Sequence, residues 1–431
     1  MNYLKLINKI LKELISKKII KSIDNNSNIF YDEPKINYYS TILEESPSYY
    51  SKNNYQVKVK GVGASGISFV SKKLALIKCL GEAVERFSIN CFKKDSIIFS
   101  TYNDLINNNL KAIDPTIYLK NKNNIRGRKI GWVEGRDLYF NNKIYIPAQL
   151  VYLNYRILDE IKFPNVISTG AAGHFYHEIA LLNGIYEIIE RDAFMTVWLN
   201  KISPPVIDLQ KISDLTILSL IKTFHRYNLQ PYIINLTNDL SIPVFLTILI
   251  DKTGIGPSIT LGLKSSLNIK EAIIHSIEEA FQIRPWIRRE IMKKKSLLSK
   301  INREKIINNE INRAVLWYPI SMINKVEFLF NQKKTVIKIK PFSLNKKQEL
   351  AKVKELMKNK KFHIYYVNVT PSNFRKINYL VYKVIIPGLQ PLYLNESCKI
   401  IVMDRLKSVA SYFGYYKNNK IIINPLPHPF L

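Results

Sequence analysis

Cysteine is scarce in this chain: Cys79, Cys91 and Cys398 are the three in 431 residues, with no CxxC pair and no even framework. That excludes a disulfide-stapled secreted fold and a cysteine-rich zinc site, and it fits a reducing cytoplasm. Acid is scarce too, with 34 Asp and Glu against 64 Lys and Arg, a formal charge of +30. Such a charge invites a nucleic-acid reading. The basic residues are mostly lysine, however, spread along the whole chain among abundant Ile and Asn. No basic block is interleaved with aromatics as an RNA platform requires, so no specific nucleic-acid function is expected. Nor is any apolar run long enough to span a membrane. The opening "MNYLKLINKILKELISKKIIKS" is not a signal peptide, because lysines recur through it and no small-residue cleavage site follows. Leu4, Ile7, Leu11, Leu14 and Ile15 keep helical spacing, which predicts an amphipathic helix packed on its own domain.

The familiar catalytic signatures are missing as well. There is no Walker A motif, kinase glycine loop, HRD/DFG pair or GxSxG elbow. His174 and His177 stand three apart without nearby cysteines or zinc-site spacing, so they are expected to be ordinary residues at a helix start. Cys79 is expected in the core rather than as a nucleophile, and Trp198 and Trp286 as packing anchors.

What is present is a folded, globular composition: 47% hydrophobic residues, 26 tyrosines and 19 phenylalanines. Residues 1–55 form a basic, Asn/Ser-rich lead-in in which "DNNSN", Asp24 to Asn28, reads as a loop. "KIYIPAQLVYLNY" and "IPVFLTILID" read as strands, "LYFNNKIYIP" as a hairpin turning at Asn141-Asn142, and "NIKEAIIHSIEEAFQIRPWIRREIMKKK" as one long helix. The Asn/Lys-rich stretches near 106–129 and 297–313 read as solvated loops or exposed helix faces.

The most informative feature is an internal repeat. "GASGISFVSKKLALIKCLGEAVERF", "STGAAGHFYHEIALLNGIYEIIERDAF" and "LGLKSSLNIKEAIIHSIEEAFQIRPW" each run from a glycine-bearing strand-to-helix junction into a helix. In each, an alanine precedes a glutamate by seven residues: Ala75 and Glu82, Ala180 and Glu187, Ala272 and Glu279. Three residues further on stand Glu85, Glu190 and Gln282, and an arginine follows closely as Arg86, Arg191 and Arg284. Spacings of three and seven share one helical face, so each helix presents two oxygen-bearing side chains together. A single such pair is most often a solvated stripe. Three copies in apolar helices of a lysine-rich protein point elsewhere, since carboxylates in apolar surroundings need a cation to stay ionised. Mg2+ prefers oxygen ligands and commonly bridges carboxylates to nucleotide phosphates, with the arginines and glycine-rich junctions available to phosphate.

These residues resemble the YcaO family. The resemblance rests on "EAVER", on "STGAAG" with "NGIYEIIERD", on "EAFQIR", and on "VTPSNF…VYKVIIPGLQPLYL", and together they span about Gly61 to Leu431. It implies an α/β fold of duplicated helix-on-sheet units around a central ATP/Mg cleft, with residues 56–431 as the catalytic domain. It also implies that ATP and Mg2+ are held by Glu82, Glu85, Glu187, Glu190 and Glu279, with Gln282 on the nucleotide and Arg86, Asn183, Arg191 and Arg284 as further contacts. Lys78 stands where a small hydroxyl residue is expected, and "GVGASG" lacks the lysine often found between its first glycines; Lys78 is then a candidate phosphate contact.

The last residues read "NPLPHPFL", with Pro425, Pro427 and Pro429 at alternate positions, a stiff segment that loses little entropy when held in place. Azoline-forming members of the family carry such a tail into the active site. By that resemblance Pro425, Pro427, His428, Pro429 and Leu431 are active-site elements, with His428 a candidate proton shuttle, although Phe430 and Leu431 extend past the last proline. The implied activity is ATP-dependent conversion of Cys, Ser or Thr in a ribosomal precursor peptide to thiazoline or oxazoline. The chain before Gly61 is too short for a leader-recognition domain plus an adenylation-like partner domain, so a separate ThiF-like or recognition-element partner is expected. A flavin dehydrogenase and a homodimer belong to the same setting. Backbone thioamidation, or a silent peptide- or nucleotide-binding subunit, stands as the alternative.

Overall fold

A computed structural model describes residues 3–27, 30–44, 47–49, 56–58, 62–92, 94–119, 124–153, 155, 160–163, 167–293, 307–415 and 421–431. Gly61, most of the 297–313 stretch and part of the 106–129 stretch lie outside them. The strands are β1 (Ile20–Asn25), β2 (Asn37–Leu43), β3 (Pro47–Tyr49), β4 (Gln56–Lys58), β5 (Gly63–Ser68), β6 (Ile98–Ser100), β7 (Ile130–Asp137) and β8 (Lys143–Pro147). They continue as β9 (Ala171–His174), β10 (Val206–Ile207), β11 (Leu229–Asn235), β12 (Val244–Asp251), β13 (Ile259–Ser265), β14 (Lys334–Thr335), β15 (Tyr365–Asn368) and β16 (Leu380–Ile385). The longer helices are α1 (Tyr3–Ser16), α2 (Lys72–Asn90), α3 (His177–Leu199), α4 (Leu215–Arg226), α5 (Ile269–Lys293), α6 (Glu310–Leu316), α7 (Lys346–Asn359) and α8 (Met403–Tyr412). The chain divides into two compact units.

The first unit comprises Met1–Ser27, Asn37–Ile188 and Lys346–Gly388. Its sheets are β1-β2-β5 and β6-β7-β15-β16-β9, with β8 paired to β7. Helix α1 packs into this unit's core through Ile7, Ile10 and Leu14, while Leu4 and Ile15 of the expected stripe stay exposed. The segment read as a loop at Asp24 instead continues β1 to Asn25, paired to Ser40 and Tyr39 of β2. The pairing gives those polar backbones partners that sequence alone does not reveal. The β7–β8 hairpin turns where Asn141-Asn142 predicted, and Asn141 takes the left-handed φ of 58° that asparagine tolerates. The strand read through "KIYIPAQLVYLNY" stops at Pro147, after which Ala148–Val151 forms a helical turn. Proline has no amide to continue the ladder and suits the start of a helix.

The second unit comprises Asn28–Ile36, Ile189–Asn345 and Leu389–Leu431. Its sheet runs β13-β12-β11-β10-β14, and all eight residues of β12, "VFLTILID", are buried, which explains why apolar residues fill it on both faces with Thr247 and Asp251 as the exceptions. Helix α5 lies on β12 and β13, joined to β12 by a Thr247–Ser276 hydroxyl pair at 2.7 Å. Within this unit Arg405 of α8 forks onto Asp192 of α3 at 2.8–3.1 Å and reaches Asp239 at 2.8 Å. Asp192 also accepts the Gln390 amide at 2.8 Å, so its buried charge is fully engaged.

Two of the repeats bring helix and strand backbones together over a glycine. A Cβ on Gly66 of β5 would lie 2.3 Å from Ala75 O and Cys79 N of α2, and one on Gly262 of β13 would lie 2.2 Å from Ser276 O and Ala280 N of α5. Cys79 is wholly buried there, its thiol pushed up to about 12 by burial, as befits a core residue. Gly262→Ala is expected to destabilise the protein by about 3 kcal/mol, since backbone cannot give way as a side chain does. Gly63→Ala, whose nearest neighbour would be 3.9 Å away, should shift stability by no more than about 0.5 kcal/mol in the same urea titration.

Candidate functional site

The three repeat helices are α2, α3 and α5, as their spacing predicted, and their glutamates share a consistent mode of anchoring. The first glutamate of each pair accepts a backbone N–H from the strand of its own repeat or, for Glu187, from the turn just before it. Glu82 accepts from Ser65 at 2.6 Å, Glu187 from Gly170 at 2.9 Å, and Glu279 from Leu263 at 2.6 Å. The second glutamate accepts from the strand of the following repeat: Glu85 from Gly173 at 2.6 Å and Glu190 from Ser265 at 2.8 Å. Among the described residues strands β5, β9 and β13 each end their sheet, so the Ser65, Gly173, Leu263 and Ser265 amides have no strand partner on that side, and Gly170 lies in the turn that leads into β9. A carboxylate oxygen takes the place of the missing strand, and the bond fixes its rotamer.

Glu82, Glu85 and Glu187 belong to the first unit, and Glu190 and Glu279 to the second. Burial raises the Glu85 carboxyl well above its ordinary value; the Gly173 amide opposes this, while the charges of Glu82 and Glu187 add to it. Burial and then Glu190 push Glu279 up to about 7, against the Leu263 amide, Arg191 and Lys264. Two side chains already answer part of this negative charge. Arg86 chelates Glu82 through Nε and Nη2 at 2.9 and 2.6 Å, and Lys264 Nζ meets Glu190 at 2.9 Å. Lys264 was not singled out from the sequence; its place on β13, between the residues whose amides hold Glu279 and Glu190, is the signal that would have found it.

Asn183 is exposed on α3 one turn before Glu187, Gln282 is half-buried one turn after Glu279, and Arg191 and Lys78 are also half-buried. Arg284 is different. It is buried against Asp251 at 2.6 Å and Glu33 at 3.1 Å and donates to Pro257 O at 2.9 Å, so its guanidinium is committed to the fold and not to phosphate. His174 and His177 flank the β9–α3 junction as ordinary residues, with His177 on the Tyr382 hydroxyl at 2.8 Å. The turn before β9 is held by buried Lys383, whose Nζ donates to Ile167 O at 3.0 Å and Thr169 O at 2.7 Å.

The proline segment is not a free spacer. The Asn424 amide donates to Leu199 O at 2.8 Å, and Trp198 Nε1 donates to Leu426 O at 3.1 Å. His428 is fully buried and its Nε2–H donates to Tyr393 O at 2.7 Å. Burial, and then Arg313 nearby, hold its pKa well below the ordinary value. A proton shuttle must exchange protons near neutrality, whereas these surroundings fit an anchor. Phe430 packs on Phe194 at 5.6 Å and lies under the Arg191 guanidinium at 5.3 Å.

Among the described residues no three of His, Cys, Asp or Glu cluster tightly enough to ligate one ion by themselves. Mg2+ does not require that: it keeps several waters and commonly takes one or two carboxylates plus phosphate oxygens. Carboxylate oxygens set by backbone amides, with Glu85 and Glu279 raised above the ordinary carboxyl value by burial, fit such an ion. The sign of the pH dependence follows. Because the folded-state pKa of Glu279 exceeds its unfolded value, its favourable contribution is full below about pH 4.5 and is lost as pH rises towards about 7. Glu279→Gln should therefore match the parent near pH 4.5 without metal and exceed it by on the order of 2 kcal/mol at pH 8, read by urea unfolding at both pH values.

The model of the family described as YcaO cyclodehydratase, ATP- and Mg2+-binding, matches residues 69–390. Among solved structures, a heterocyclase in complex with substrate and cofactor superposes with a TM-score of 0.76 at 19% identity, covering 98% of this chain and 57% of that one. YcaO from Methanopyrus kandleri, bound with AMPPCP and Mg2+, gives 0.66 at 15% identity, covering 90% and 91%. The E. coli microcin synthetase McbBCD complex gives 0.56 at 15% identity, covering 90% and 95%. Among curated proteins, an uncharacterized protein of the tfuA 3' region of Rhizobium leguminosarum bv. trifolii is 27% identical over 128 residues, 29% of this chain and 30% of that one. One from Methanothermobacter thermautotrophicus is 22% identical over 206 residues, 47% and 52%. The chain thus spans about a third to a half of these curated relatives. With a family match over well more than half its length, and a mixed α/β fold shared with solved YcaO structures, the chain belongs to the YcaO family.

Proposed function

We propose that this chain is the ATP-dependent cyclodehydratase of a peptide-modifying assembly, converting Cys, Ser or Thr of a ribosomal precursor peptide to azoline rings. The observation that carries the reading is the repeated glutamate pair in a YcaO chain, each carboxylate accepting a backbone amide from an edge strand or, for Glu187, from the turn that leads into one. Glu82, Glu85, Glu187, Glu190 and Glu279 are the residues we assign to Mg2+, with Gln282, Asn183, Arg191, Arg86 and Lys78 assigned to ATP. Bound Mg2+ would supply charge neutralisation on the phosphoryl group as it transfers.

In the chemistry proposed, the substrate's thiol or hydroxyl gives up its proton and adds to the preceding carbonyl carbon, and the former carbonyl oxygen takes the γ-phosphoryl group of ATP with release of ADP. Loss of the nitrogen proton and cleavage of the C–O bond then release phosphate and leave the ring. An amide oxygen leaves poorly and phosphate leaves well, which is why the nucleotide is needed. The protein's part is to fix carboxylates before the nucleotide arrives, and anchoring by backbone amides does that without flexible intermediaries. We assign the segment Pro425–Leu431 to organising the site, because it is held by residues of α3, the helix that carries Glu187 and Glu190.

A separate leader-binding protein is the proposed partner, consistent with neighbours described as the McbBCD complex and that complex with pro-MccB17 bound. Mass spectrometry of a Cys/Ser/Thr-rich precursor with the chain, its partner and Mg-ATP tests the proposal. Each ring should remove about 18 Da, one water expelled at the activated amide. Glu187→Ala should abolish the change, and truncation after Asn424 should slow it by roughly 10³-fold, leaving a measurable residual turnover. A gain of about 16 Da with sulfide would replace this reading with thioamidation, in which oxygen is exchanged for sulfur after the same activation. ATP binding without mass change would sink both.

A further inference from the structure

We propose that Arg313 is a positioning residue that latches the proline segment in place, and through it sets the Arg191 guanidinium. Arg313 lies on α6 and its side chain is wholly inaccessible. A buried guanidinium is costly unless its donors are met, so what meets them shows what it is for. Here Nη1 donates to His428 O at 2.6 Å, and Nη2 to Leu394 O at 2.7 Å and Glu396 Oε1 at 2.8 Å. One guanidinium thus ties the proline segment to the 393–396 stretch. His428 closes the same loop from the other side, with its Nε2–H on Tyr393 O at 2.7 Å.

The latch fixes register. Prolines cannot donate, so the segment has few backbone bonds of its own with which to resist sliding. Anchoring at His428 O settles where Phe430 falls, two residues on, and Phe430 is the ring under Arg191 at 5.3 Å. Arg191 follows Glu190 directly and stands among the charges acting on Glu279. A lysine at 313 would keep charge but lose the planar fork that spans two segments.

The inference rests on the function proposed above for its catalytic arm only. The test uses the full chain, the Arg313→Lys and Arg313→Met variants, and the same substitutions in a chain truncated after Asn424. Hydrogen exchange at the amides of Leu426, His428, Phe430 and Leu431 should accelerate by about tenfold or more in Arg313→Met and less in Arg313→Lys, with the exchange of β12 unchanged. If exchange of the segment stays at parent rates in a folded variant, the latch is wrong whatever the enzyme does. Turnover of precursor peptide should fall by roughly 10²-fold in Arg313→Met, with a smaller rise in KM for ATP because Arg191 is one of several contacts assigned to the nucleotide. In the truncated chain the substitution should have no further effect on residual turnover. An equal loss there would mean that Arg313 acts independently of the segment and would overturn the inference. Absence of peptide turnover in the parent counts against the proposed function, and exchange alone then decides the latch.

Discussion

The bond between a helix glutamate and an edge-strand amide is the interaction on which the rest of this protein depends. An edge amide that no strand pairs needs an acceptor, and a carboxylate is the strongest that a side chain supplies. The same bond draws the carboxylate into low-dielectric surroundings, where its charge is disfavoured. A hydrogen bond to a charged group is worth roughly 1.5–3 kcal/mol, and desolvating the charge costs several kcal/mol, so the bond alone does not balance the account. The rise of Glu279 to about 7 records the shortfall. Folding therefore leaves Glu85 and Glu279 short of positive charge, a deficit that the proposed Mg2+ would relieve.

The repeat spreads that interaction along the chain. Glu82 and Glu279 hold the strand of their own repeat and Glu187 the turn that leads into its own, while Glu85 and Glu190 reach forward to the next strand. The third copy is unequal. After α5 no further copy of the repeat follows in the sequence, and there the position of the second glutamate carries Gln282, an amide in place of a carboxylate. Close approach is the other half of the device. Carboxylates three residues apart can meet strand amides only if helix and strand backbones nearly touch, and Gly66 and Gly262 are where a Cβ would prevent it.

The sequence was legible where the pattern is local and periodic. The alanine-to-glutamate spacing placed α2, α3 and α5, the apolar run placed β12, and Asn141-Asn142 placed a hairpin. It was illegible where a role is decided by a partner distant in the chain. Arg284 follows its motif as a phosphate ligand would, yet Asp251 and Glu33 claim it. Lys264 looks like any other lysine of a basic chain until β13 sets its Nζ on Glu190. Asp24 and Asn25 have the composition of a loop, and their pairing to β2 overrides it. In a chain with 64 basic residues, the few that matter are distinguished by burial and partner, neither of which composition contains.

Alternating prolines solve a particular difficulty for a segment that is to be buried without joining a sheet. Every ordinary residue brings an amide that must find an acceptor, and an extended chain packed among side chains offers few. Replacing alternate residues by proline halves that demand and fixes φ before docking. The carbonyls remain, and here those of the intervening residues Leu426 and His428 are taken by Trp198 and Arg313. The order of the segment then needs no secondary structure. It comes from two side-chain donors, an imidazole turned outward to Tyr393, and an aromatic residue, Phe430, seated against Phe194. Stiffness makes the segment cheap to hold, but the donors of α3 and α6 decide where it is held.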